Sequence, residues 1–165
     1  MKRKIVVAAL LCLALVTVLA LAAPLASAKA DFAEATGTET YYLPPNPVTD
    51  LLITGNVAHW TFNNVMRIES DSWLLAGYNT THLVVLFDPM TGAGRCHGTY
   101  QIVLDGGKGV WEGTFAGAIT LVETAQVWDI HTAGRGVSGA VSGMISRGHD
   151  VNGEITGIVI APHGF

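Results

Sequence analysis

Gly94–Glu123, GRCHGTYQIVLDGGKGVWEGTFAGAITLVE, decides how this chain is read. In its first half Cys96, Gly98, Tyr100, Ile102 and Leu104 fall on one side, and Arg95, His97, Thr99, Gln101 and Val103 on the other. Asp105-Gly106-Gly107-Lys108-Gly109 is a glycine turn. Beyond it Trp111, Gly113, Phe115, Gly117, Ile119 and Leu121 share one face, opposite Glu112, Thr114, Ala116 and Thr120. A period of two is the pattern of a strand with one buried face, so the stretch reads as a β-hairpin. Gly113 and Gly117 suit the bending and close backbone approach that closing a small barrel requires.

Working outward, Tyr41-Tyr42-Leu43 reads as a short strand stopped by Pro44, Pro45 and Pro47, and Val48–Thr54 as a second. Asn56–Phe62 places Ala58, Trp60 and Phe62 on one face; Asn63-Asn64 reads as a turn; Val65–Ser70 then points Met66 and Ile68 inward. Trp73–Tyr78 and His82–Asp88 are strands with apolar residues on both faces, followed by a loop over residues 89–94. After the hairpin come a strand at Thr124–Ile130, a turn at Ala133-Gly134-Arg135-Gly136, strands at Val137–Ser146 and Glu154–Ala161, and a turn between them at residues 149–153. No helical spacing holds over three turns after Ala28. Eight or nine short strands argue for a sandwich or barrel, and glycines inside strands favour a small antiparallel all-β barrel.

The front of the chain has another character. Lys2-Arg3-Lys4, the apolar run Ile5–Ala22 and Ala26-Ser27-Ala28 after Pro24 follow the order of a secretory signal peptide cleaved after Ala28. The run is also long enough for a minimal spanning helix; Pro24 and the A-S-A site favour cleavage and a secreted, periplasmic or otherwise extracytoplasmic protein. Residues 29–40 carry small and polar types and read as a flexible leader, so the domain spans residues 41–165. Removing residues 1–28 leaves six Lys and Arg against thirteen Asp and Glu, a net charge of −7. So acidic a chain is a poor partner for nucleic acid or an anionic membrane surface. Cys96 is then the lone cysteine, so the fold must rest on an ordinary core without a disulfide.

The run Gly106-Gly107-Lys108-Gly109-Val110-Trp111-Glu112-Gly113-Thr114-Phe115, entered from Gly98-Thr99-Tyr100-Gln101-Ile102, resembles the allene oxide cyclases. These carry a similar Gly-Gly-x-Gly-aliphatic-aromatic-Glu-Gly-x-aromatic run between two barrel strands. The likeness covers about thirty residues. It implies an eight-stranded, calycin-like antiparallel barrel, shared with the dirigent proteins, with an apolar cavity and frequent assembly into dimers or trimers. It further implies chemistry without metal or cofactor, in which an apolar substrate is steered through ring closure by the shape of the cavity. The first half of the chain shows no clear correspondence.

The residues offer few reactive constellations. Trp60, Cys96, Tyr100, Trp111 and Phe115 are the candidate ligand-binding residues, as the aromatic and thiol groups of the expected interior faces. Cys96 reads equally as a small buried hydrophobe, and the tryptophans Trp60, Trp73, Trp111 and Trp128 as core. Glu112 falls opposite Trp111 and Phe115, which makes it a solvated residue or a partner of Lys108 or Arg95. The six histidines show no H-x-H or H-E-x-x-H, although Asp129 and His131 share a strand face, so the expectation is no metal and no cofactor. Asp150, Asn152 and Glu154 faintly suggest an oxygen-ligand loop but read as turn residues, and Asn79-Thr80-Thr81 is a glycosylation sequon. The expected function is binding of a small apolar ligand inside the barrel; the alternatives are a cofactor-independent isomerase or cyclase and a structural, oligomeric surface protein.

Overall fold

In the computed structural model residues 30–43, 49–162 and 164–165 are described; the expected signal peptide and Pro44, Pro45 and Pro47 lie outside them. The glycine-centred stretch forms β5 (Ala93–Leu104) and β6 (Gly109–Val122), joined through a 3-10 turn at Asp105–Gly107. Gly106 and Gly107 have φ of 63° and 69°, a region that side-chain-bearing residues avoid. Around this hairpin lie β1 (Asp31–Tyr41), β2 (Thr49–Thr54), β3 (Val57–Glu69), β4 (Gly77–Asp88), β7 (Ala125–Gly139), β8 (Ile145–Val151) and β9 (Glu154–Ala161). The result is one antiparallel sheet of nine strands, and the 3-10 turn is the helical element among the described residues.

Pairing follows chain order from β2 to β9, and β1 then pairs with β9 on one edge and with β3 on the other, so the strands form a ring. Because β4 occupies one edge of β3, β1 and β2 share its other edge: β2 takes the stretch from Val57 to Thr61 and β1 that from Met66 to Glu69. Inside the ring, alternate residues of β5 and β6 are buried, with Trp111, Ile119, Cys96 and Leu104 each at most 2% exposed. Leu74 from the β3–β4 connection and Val141 and Met144 from the β7–β8 connection join this core.

Tyr100 shows what the glycines do. Its Cα partner on β6 is Gly113, Gly113 pairs with Gly134 on β7, and Gly134 pairs with Ser146 on β8. The ring therefore lies across two glycines, and its hydroxyl approaches Ser146 Oγ at 3.4 Å. A Cβ on Gly113 would stand 2.6 Å from the Tyr100 ring, and one on Gly134 would collide with the hydroxyl. Glycine here makes space beneath an aromatic ring within straight pairing.

Several expected boundaries move. Residues 31–41 form β1, which closes the ring, where the sequence suggests a flexible leader; its inward positions carry small or polar residues such as Ala35, Gly37 and Glu39, so no apolar alternation marks it. Asn63-Asn64 lies within β3, with Asn64 buried and Asn63 facing outward, its Oδ1 placed to accept from His82 Nδ1 at 2.9 Å. Trp73–Leu75 is a turn, whose Ser72 carbonyl accepts from the Leu75 and Ala76 amides, and β4 starts at Gly77. Ala133–Gly136 lies within β7, because its glycines serve packing; the chain reverses at residues 140–144, where the expected strand Val137–Ser146 is interrupted between Gly139 (φ 66°) and Ile145.

Candidate functional site

The parity of β3 and β4 places a polar group inside the ring. On β3, Phe62, Asn64, Met66 and Ile68 face inward; on β4, Asn79 and Thr81 continue the inward series Leu83, Val85 and Phe87. Asn64 and Thr81 are Cα partners, as are Asn79 and Met66, and β1 adds Glu39 alongside Ile68. These side chains line one wall of a cavity of about 400 Å³. Apolar residues make up most of the rest, including Leu83, Ile102, Phe115, Trp128 and Ile130, and Asp150 enters from β8.

Glu39 and Asn79 form the best-defined pair. Asn79 Nδ2 donates to Glu39 Oε1 at 2.7 Å. Burial pushes the Glu39 carboxyl up to about 7; the Asn79 bond works against this and the nearby Asp150 carboxylate adds to it. Asp150 is likewise held above the ordinary carboxylate range, chiefly by burial and despite the Gly153 amide that donates to its Oδ1 at 2.7 Å. At neutral pH Glu39 is thus divided between its neutral and charged forms, the condition under which a carboxyl group can serve as either acid or base.

Three further atoms stand out. Asn64 Oδ1, Asn79 Oδ1 and Thr81 Oγ1 are buried, and none has a hydrogen-bond partner among the described residues. Their residues are 4%, 8% and 6% exposed, and leaving such groups unpaired costs about 1–3 kcal/mol each. All three residues line the cavity, while the unpaired oxygens themselves are covered, each with under 1 Å² accessible.

Of the residues singled out from sequence, Tyr100 and Phe115 line this cavity. Cys96 is packed in the core with its thiol pushed up to about 11, first by burial, which keeps it protonated at neutral pH. Trp111 is 2% exposed and donates from Nε1 to the Leu74 carbonyl at 2.9 Å, anchoring the β3–β4 turn. Trp60 is half-buried against the core, whereas Trp128 borders the cavity. Glu112 is exposed and accepts from Gln101 Nε2 at 3.1 Å, so its partner is the cross-strand neighbour and neither Lys108 nor Arg95. The turn expected at residues 149–153 narrows to Asn152-Gly153: Asp150 lies in β8 and accepts from the Gly153 amide, Asn152 Oδ1 accepts from the Trp128 amide at 2.8 Å, and both border the cavity.

Glu39, Asn64, Asn79 and Thr81 are the site residues that sequence reasoning passes over. Each was hidden by a local reading: a leader, an asparagine turn, a glycosylation sequon. The last does not suit the position, since the Asn79 amide is buried and engaged by Glu39. Extending the alternation of Leu83, Val85 and Phe87 backward would have found Asn79 and Thr81. Compared with known proteins, the chain matches no family model, no curated protein and no solved structure.

Proposed function

We propose that this is an exported protein with an allene oxide cyclase-like, eight-stranded barrel that binds a small, mainly apolar molecule in its interior. The observation that carries the proposal is one cavity of about 400 Å³ in which apolar walls meet the polar residues Asn64, Asn79 and Thr81, each holding a buried oxygen without a partner among the described residues. Charge narrows the ligand class. Burial already makes Glu39 and Asp150 resist ionisation here, so a ligand carboxylate beside them would meet the same desolvation penalty. A neutral hydroxyl, carbonyl or epoxide on a terpene-like or fatty body suits the polar wall better. The exposed Leu51, Leu52 and Ile53 of β2 offer an apolar surface for the dimer or trimer that the resemblance implies.

A panel of terpene alcohols, fatty alcohols, fatty acids and polyenes, read by thermal shift and by tryptophan fluorescence through Trp128, tests this reading. Neutral polar-headed members should raise the melting temperature and change the emission, and their carboxylate counterparts should do so less. No response from any member would remove the proposal.

A second reading, a cofactor-independent isomerase or cyclase, is favoured by Glu39 alone. A carboxyl near 7, oriented by Asn79 and facing an apolar cavity, is placed to move a proton on a bound substrate. If Glu39→Gln retains binding while conversion of an unsaturated epoxide is lost, the enzyme reading gains; equal conversion by the variant would discard it.

A further inference from the structure

On the outward face of β7 and β8, three side chains that no motif connects are brought together by register. Asp129 and His131 are two residues apart on β7 and so share a face, and His149 of β8 is the direct Cα partner of His131. The two imidazoles are stacked with centroids 4.6 Å apart and an interplanar angle of 10°. Both turn Nε2 toward one carboxylate oxygen: Asp129 Oδ1 lies 2.7 Å from His149 Nε2 and 3.8 Å from His131 Nε2. One ligand atom from each residue lies within 4.8 Å of the other two.

We propose that Asp129, His131 and His149 form a three-ligand site for a divalent late first-row transition metal ion, zinc(II) foremost. Two imidazole nitrogens and one carboxylate oxygen are the donor set that suits zinc, copper or nickel and is too nitrogen-rich for magnesium or calcium. Around a tetrahedral zinc with bonds of about 2.0–2.1 Å, neighbouring donors stand roughly 3.4 Å apart. The separations of 2.7 and 3.8 Å from Asp129 Oδ1 bracket that value, and the stacked imidazoles would turn out of parallel for their lone pairs to converge on one ion. The backbone is already fixed by the β7–β8 ladder from Asp129 to Arg135. A hydrogen bond between His149 and Asp129 accounts for those two residues and stacking holds the His131 ring parallel to His149; a shared ion adds a role for the His131 nitrogen, 74% exposed, that faces the same oxygen. The fourth position faces solvent, as in sites that keep an open coordination position. The sequence carries no sign of the site beyond D-x-H, because its third ligand comes from the next strand.

Calorimetric titration of the metal-stripped protein with zinc chloride tests the proposal, with cobalt(II) absorption as a check on geometry. One ion per chain is expected, with a tetrahedral cobalt spectrum. His131→Ala/His149→Ala should weaken binding by about 100-fold or more, beyond the roughly 10–100-fold cost of disturbing a ligand's supporting contacts. His97→Ala, on the outward face of β5, should bind as the parent does. The single exposed change His131→Gln, which leaves the packing intact, should weaken binding by about tenfold or more, so a folding defect in the double variant would not obscure the result. Absence of zinc binding by the parent protein, or unchanged affinity in His131→Gln, overturns the proposal.

Discussion

Glu39 is the residue on which the chemistry of the cavity turns, and its behaviour can be read through stability. Its carboxyl titrates near 4.5 in an exposed setting and is pushed up to about 7 in the fold, so between these values the native state holds the extra proton. Stability from this group is complete at the acid end and is lost as pH rises through about 7. Discounted for partial exposure, the loss amounts to about 2–3 kcal/mol. Urea unfolding at pH 5 and pH 8 should therefore show the parent protein weaker at pH 8 and Glu39→Gln with a much flatter dependence. Asp150, also raised chiefly by burial, acts in the same direction. An undiminished slope in Glu39→Gln would show that Glu39 is solvated.

At the scale of strands, the register Tyr100–Gly113–Gly134–Ser146 links the sequence pattern to the shape of the interior. Gly134→Ala should cost about 1–3 kcal/mol in urea unfolding, as overpacking does. The nearest atom to the added methyl is the Tyr100 hydroxyl, so the same substitution in a Tyr100→Phe background should cost clearly less. Equal costs in both backgrounds would mean that the strain comes from the backbone and not from the ring. The hairpin β5–β6 was legible in the sequence because its alternation is strongly apolar on one side and its turn is marked by Gly106 and Gly107. β1 and the middle of β3 were not, because Glu39 and Asn64 occupy inward positions where local propensity suggests a leader and a turn. Long-range pairing overrides local preference at such places, and these polar interior positions are the ones that form the candidate site. The glycines of β7 misled in the opposite sense: Gly134 and Gly136 resemble a turn but are required by Tyr100 and by the backbone at Val141.

At the scale of the molecule, the ring of strands divides the chain's chemistry between two surfaces. Its interior carries Glu39, Asn64, Asn79 and Thr81 against apolar walls, while Asp129, His131 and His149 gather on the β7–β8 ladder, where His149 also borders the cavity. The proposed ligand function depends on the interior being hollow and polar at one wall. Fluorescence titration of the parent protein and of Thr81→Val with a terpene alcohol and its parent hydrocarbon measures this directly. Saturable binding is predicted, with the alcohol preferred over the hydrocarbon by about tenfold in the parent protein, the worth of a hydrogen bond near 1.4 kcal/mol, and by clearly less in Thr81→Val. If neither compound binds, or the preference is the same in both proteins, the interior is not the polar-headed ligand site described.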